Sequence, residues 1–310
     1  MRNFFFLLLA LATPIYSHIP FPIQFSISET KVIDEVPEKT QDFATVIPGQ
    51  GYTYIFNYEA NYYNDYQKSY YAVTTKKGGW DCLRHYEILA NGCIPYFLDL
   101  DACDTNTMAF LPKELIKEAM QLEGVSYLHI DHSKFNKARY LEILKELLEH
   151  TKQYLTSKQM AKYLLEKMNY SGEGKILFLS RDVSPDYLRC LTLIGLKELL
   201  GDKLVDVPKI PHIYKSFPGD ISKLYGKGIS YTKILEDLFV NRENMVERIK
   251  QNEFELVIYG SVHRGLLYHD LVQLSYPKEK IAYLCGEDFH QCQYSHWTNL
   301  FLREYSAYVR

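Results

Sequence analysis

Short apolar runs alternate with amphipathic stretches through the second half of the chain. KILFLS, KLVDVP, ELVIYGS and KIAYLC are apolar nearly throughout and read as strands covered on both faces. Between them, PDYLRCLTLIGLKELLG, closed by Gly201, reads as a helix, as do YTKILEDLFVNRENMVERIKQN and RGLLYHDLVQLS. Strands alternating with helices predict right-handed βαβ units and a parallel sheet.

The first half is less regular. PIQFSI and YTYIFN read as strands separated by the turn IPGQG, and NDYQKSYYAVTT fits helix or strand. The spacing predicts a helix from Trp80 to Asn91, stopped by Gly92, then a buried strand in CIPYFLDL. PKELIKEAMQL reads as a helix with Pro112 near its start, and VSYLHID as a strand. Leu141, Leu144, Leu147 and Leu148 recur at helical spacing, and SKQMAKYLLEKM adds a second helical segment. The polar stretch NYSGEGK divides the chain into 18–170 and 171–310. Residues 1–17 pair Arg2 with the apolar run FFFLLLALA and fit a cleaved secretory signal, or else a buried first element. The run is too short to span a membrane well. Export would put the mature chain in a secretory lumen, the periplasm or outside the cell; without cleavage it stays in the cytoplasm.

Composition narrows the class. The chain is 47% hydrophobic and 24% charged, enough for a real core, and its net charge of -3 argues against a general nucleic-acid binder. The 27 tyrosines and 16 phenylalanines suit sugar stacking and ordinary half-buried positions alike. The six cysteines form no CxxC pair, which disfavours zinc; disulfides and buried thiols fit equally. Asn169-Tyr170-Ser171 is a glycosylation sequon wherever the route is a eukaryotic secretory one.

The chemistry concentrates in KKGGWDCLRHYEILANG. At a helix N-terminus, free amides and the macrodipole attract anions, Gly78 and Gly79 allow close approach, and Lys76 and Lys77 add charge, which suits a diphosphate. Glu87 would accept from a ribose diol, with Arg84 one turn away on the same face. The plain alternative is a glycine turn, solvated lysines and an Arg84–Glu87 pair. In open α/β sheets ligands bind beyond the carboxyl ends of strands, which nominates Arg181 and Asp182, His263 and Arg264, and Gly286 to His290. His263, Asp288 or Asp182 would serve as base, and Arg264 would contact phosphate or an acidic acceptor. Each also has a structural reading: Asp182, Asp288 and His263 as caps, Glu287 as an ion-pair partner. Asp99, Asp101 and Asp104 have DxD-like spacing but sit where loops collect such residues. The long loop PKIPHIYKSFPGDISKLYGKG offers His212, Tyr214, Lys215 and Tyr225 for an acceptor or to cover a sheet edge.

RHYEILANGCIPYF resembles the donor-site segment of GT-B glycosyltransferases, especially exostosin-like and spore-maturation-type members. Glu87, Ala90, Gly92 and Pro95 match the glutamate, small residue, glycine and proline of that segment. ILFLSRDVSPDYLRCLTLIGLKELLG, LVDVP, FELVIYGSVHRG and KIAYLCGEDFH resemble the other Rossmann-like half at fold level. The resemblance implies two Rossmann-like halves facing a cleft, a nucleotide-sugar donor, a carbohydrate or glycoconjugate acceptor, and no metal or other cofactor. Its donor-like motif comes first rather than second, implying a circular permutation or a fragment of a tandem array. A nucleotide-sugar epimerase and a non-catalytic carbohydrate- or protein-binding relative fit the same fold. Export to a bacterial periplasm, which lacks nucleotide sugars, would weigh against transfer.

Overall fold

The structure, a computed structural model, describes residues 19–288 and 297–305. The signal-peptide expectation, Phe289 and His290 lie outside the described residues. The strands are β1 (Phe21–Pro22), β2 (Gln41–Phe43), β3 (Ser69–Thr74), β4 (Ile94–Phe97), β5 (Val125–Ser126), β6 (His129–Ile130), β7 (Lys175–Leu179), β8 (Leu204–Val207), β9 (Phe254–Tyr259), β10 (Ile281–Cys285) and β11 (Leu300–Leu302). The α-helices are α1 (Glu59–Gln67), α2 (Leu83–Ala90), α3 (Lys113–Met120), α4 (Lys137–His150), α5 (Ser157–Lys167), α6 (Tyr187–Leu200), α7 (Met245–Lys250) and α8 (His269–Ser275).

The fold is α/β. Six parallel strands form one sheet in the order β1-β11-β10-β9-β7-β8, compatible with a Rossmann-like fold. Alternate residues of its central strands face opposite ways. Ile176, Phe178, Leu256, Ile258, Ala282 and Leu284 pack with α5 and α6, whereas Leu177, Leu179, Val257, Tyr259 and Tyr283 pack with α7 and α8. Burial on both faces explains the near-continuous apolar runs. From β7 the chain moves outward to β8, then returns to the other side of β7 for β9 and continues to β10. The strand order thus reverses between β7 and β9, which opens a crevice at their carboxyl ends.

A second parallel sheet, β2-β3-β4, packs with α2, α3 and α4 on one face and against Tyr66 of α1 on the other. The chain joins the two cores closely. Ile23 and the α5 residues Met160, Ala161 and Leu164 lie in the core of the larger sheet, and Phe21 pairs with Phe301. No helix among the described residues is long and apolar enough to cross a membrane.

Several local expectations change. YTYIFN forms no strand: a 3-10 turn at Gly51–Thr53 leads into irregular chain with Tyr54 and Ile55 exposed. Within PIQFSI Pro22 pairs in the large sheet and Ile27 forms an isolated bridge to Thr156, and VSYLHID becomes a two-stranded antiparallel ribbon turned by Leu128 at φ 60°. NDYQKSYYAVTT divides into the end of α1 and the whole of β3. The long helix expected from Tyr231 shrinks to α7, since Lys233 and Asn244 adopt left-handed conformations at φ 52° and 53°.

Candidate functional site

A cavity of about 910 Å³ lies between loops and helices that flank the two sheets. One wall comes from the loop before α2, from α2 itself and from the 46–62 segment. The other comes from the loops after β7, β9 and β10 and from the 225–229 segment. Lys77, Gly78, Gly79, Arg84, Glu87, His263, Arg264 and Asp288 all line it.

Helix α2 fixes its two charged residues through its local chemistry. It ends where Gly92, at φ 61°, lets the Cys93 amide donate back to the Ile88 carbonyl at 3.1 Å. Most of its side chains are buried, so Arg84 and Glu87 are held rather than free to swing. Glu87 accepts from Tyr62 Oη at 3.1 Å and from Ser230 Oγ, a residue reaching across from the other wall. Burial raises the Glu87 carboxyl above its usual range. Arg84 donates Nη2 to Tyr54 Oη at 3.0 Å, and Lys77 Nζ reaches the same oxygen at 3.3 Å. Arg84 Nε and Nη1 are buried and make no hydrogen bond among the described residues. The Arg84–Glu87 pairing allowed by spacing does not form within ion-pair distance.

The glycine pair stands ahead of α2, not at its first turn, which begins at Leu83. Glu304 occupies the space over Gly79, and its Oε1 accepts the Asp81 amide at 2.8 Å. A carboxylate of the protein itself therefore holds the loop amide that the sequence offers to an anion. Arg303, fully buried, donates to the Asp81 carbonyl at 2.7 Å, the Gly286 carbonyl at 2.8 Å and the Asp288 carboxylate. Burial pushes the Asp81 carboxyl up to about 6 and that of Glu304 to about 7.

At the β7/β9 crevice, Asp186 caps α6 by accepting the Arg189 amide at 3.0 Å. Its other oxygen accepts from Ser261 Oγ at 2.7 Å and Arg264 Nε at 3.0 Å, with His263 Nε2 at 3.3 Å. Asp182 lies outside the lining: Oδ1 accepts the Ser184 amide at 2.9 Å and pairs with Arg189 at 3.4 Å, so it shapes the turn. Lys76 also lies outside, with its amide on Asp99 and its ammonium 5.4 Å from the Trp80 ring centroid. Arg181 packs beside Gly265.

Of the long loop, Tyr225 lines the cavity. His212 instead meets Cys190, Tyr214 stacks under Lys209, and Lys215 pairs with Glu236. Asp99, Asp101 and Asp104 turn to Thr75, Lys117 and the Asn106 amide respectively. No group of three or more such side chains among the described residues is placed to hold a metal ion. Cys82, Cys93, Cys103 and Cys190 carry free thiols.

Sequence reasoning missed Asp186, Ser230, Arg303 and Glu304. Asp186 gave the signal of a helix cap, which it is; its second set of partners arrives only with β9. Ser230 and Arg303 carry no local pattern at all. No family model, curated protein or solved structure was found to match the chain.

Proposed function

We propose that this protein is a glycosyltransferase of GT-B type that moves a sugar from a nucleotide-sugar donor to a carbohydrate or glycoconjugate hydroxyl. One observation carries the reading: Arg84 and Glu87, one turn apart on α2, share a cavity with Lys77, and His263 and Arg264 stand on the opposite wall. Arg84, with two buried nitrogens that lack acceptors among the described residues, and Lys77 supply the charge for a diphosphate. They replace the loop amides in that role, because Glu304 already holds the Asp81 amide. Glu87 receives a ribose diol by exchanging its Tyr62 and Ser230 hydroxyl partners for those of the ligand. Tyr54, Tyr187 and Tyr225 offer ring faces for a base or sugar.

Thermal-shift screening against nucleoside diphosphates and nucleotide sugars tests this. A ligand at a hundredfold over its Kd stabilises the native state by about 2.7 kcal/mol. Arg84→Ala and Glu87→Gln are expected to abolish the shift; a full shift in both variants overturns the site. Product analysis without acceptor separates transfer from epimerisation, and binding without any product leaves a non-catalytic relative.

A further inference from the structure

We infer that Asp186 and His263 form a carboxylate–imidazole pair in which His263 deprotonates the acceptor hydroxyl through Nδ1; this rests on the donor reading above. The two residues come from neighbouring strands on either side of the strand-order reversal. Asp186 follows β7, and His263 follows β9. Both line the cavity, facing the wall that carries Arg84 and Glu87.

The pair is built, not incidental. Asp186 is buried, and its two oxygens are fully committed: Oδ1 to the Arg189 amide, Oδ2 to Ser261 Oγ, Arg264 Nε and the His263 ring. Burial alone would raise its carboxyl, yet the bonds from His263, the Arg189 amide and Ser261 hold it well below the ordinary range. It therefore stays an anion beside the imidazole. His263 Nε2 faces two carboxylates, Asp186 Oδ2 at 3.3 Å and Glu287 Oε1 at 3.8 Å. That side of the ring keeps the proton. Among the described residues Nδ1 makes no hydrogen bond, and His263 lines the cavity, so this nitrogen carries the lone pair that takes the acceptor's proton.

Ser261 is not a nucleophile in this arrangement, because its hydroxyl proton points at Asp186. Arg264 is anchored by Asp186, Ser184 Oγ at 2.6 Å and the Pro185 carbonyl at 3.1 Å, so it locks the carboxylate in place.

The step balances without a further reagent. The acceptor hydroxyl gives its proton to His263 Nδ1 as its oxygen bonds to the anomeric carbon. The bond from that carbon to the diphosphate oxygen breaks, and the electron pair leaves with the nucleoside diphosphate. Attack from the wall opposite the leaving group inverts the anomeric configuration. Asp186 is a positioning residue: it fixes the tautomer and stabilises the imidazolium that forms.

The test uses the full chain. Asp186→Asn keeps an oxygen for the α6 cap but removes the charge. Long-range proton–nitrogen correlation spectra of the histidines are expected to show His263 protonated at Nε2 in the wild type, with a shift toward Nδ1 protonation in Asp186→Asn. Turnover is measured with UDP-glucose and GDP-mannose, using methyl glucoside and water as acceptors. His263→Gln and Asp186→Asn are expected to lower kcat by about 10²–10⁴-fold. KM and the nucleotide thermal shift should be retained. An Nδ1-protonated His263 in the wild type, an unchanged tautomer in Asp186→Asn, or unaltered kcat in either variant overturns the pair. The absence of any thermal shift with either donor instead sinks the donor reading, and the transfer step with it.

Discussion

Glu304 shows how a single side chain changes the meaning of a motif. The glycine doublet offers loop amides to an anion, and the protein fills that place with its own carboxylate. Burial raises this group from an ordinary 4.5 to about 7, so the native state binds its proton more tightly than the unfolded chain does. The sign follows by linkage: native stability falls as pH rises from about 4.5 through about 7 and then levels off. Asp81, raised to about 6, adds to the same trend. Glu304→Gln keeps an acceptor for the Asp81 amide and cannot ionise. Urea titrations at pH 5 and pH 8 are expected to show the wild type losing on the order of 2 kcal/mol of stability between them. The variant should lose clearly less; an equal loss would assign the pH dependence elsewhere. At the same scale, His263 and Arg264 were legible because they follow an apolar strand, where any open α/β sheet puts its ligand. Arg303 and Glu304 were not, because the bonds that bring them to the cavity wall reach more than two hundred residues back in sequence, to Asp81.

Among the elements, the contrast between the two sheets explains which strands could be read. β7, β9 and β10 are covered on both faces, so their sequences are apolar without interruption and their existence follows from composition alone. In the smaller sheet β2 is only half-buried, and Lys68 alone stands between α1 and β3, so no turn signal separates the two periods. The stretch after Tyr231 has helical spacing, yet left-handed residues break it into irregular chain. Side chains of both helices share the α5–α6 contact, but its closest approach depends on Gly195: a Cβ there would run into the Ser157 carbonyl, and backbone there cannot yield. Gly195→Ala is expected to destabilise the protein by about 3 kcal/mol, read by chemical denaturation. A cost below ~0.5 kcal/mol, the range of neutral surface changes, would mean that the helices can separate without penalty.

On the scale of the whole molecule, the two sheets are bound to each other at both ends of the cavity. At one end Arg303 and Glu304 hold the Asp81 backbone. At the other, the 227–230 segment reaches over to α1 and α2. Lys227 Nζ donates to the Phe56 carbonyl and Asn57 Oδ1, each at 2.7 Å, and the Ser230 amide donates to Glu59 Oε2 at 2.7 Å. Ser230 Oγ also meets Glu87 and, at 2.7 Å, Tyr63 Oη. This second attachment is strained: Gly226, Lys227, Gly228 and Ser230 all have positive φ, which for lysine and serine costs free energy that the cross-cavity bonds offset. The attachment and the proposed ligand compete for Glu87, so loosening one should favour the other. Lys227→Ala/Ser230→Ala removes the side-chain bonds but leaves the Ser230 amide. In the free protein, the variant is expected to show faster hydrogen exchange in α1 than the wild type, with α5 and α6 unchanged. If Ser230 merely holds a place that a ribose diol takes over, a nucleoside diphosphate will bind the variant at least as tightly as the wild type. It will also restore α1 protection. If instead affinity falls tenfold, about 1.4 kcal/mol, the serine orients Glu87 for the ligand and the exchange of partners is wrong.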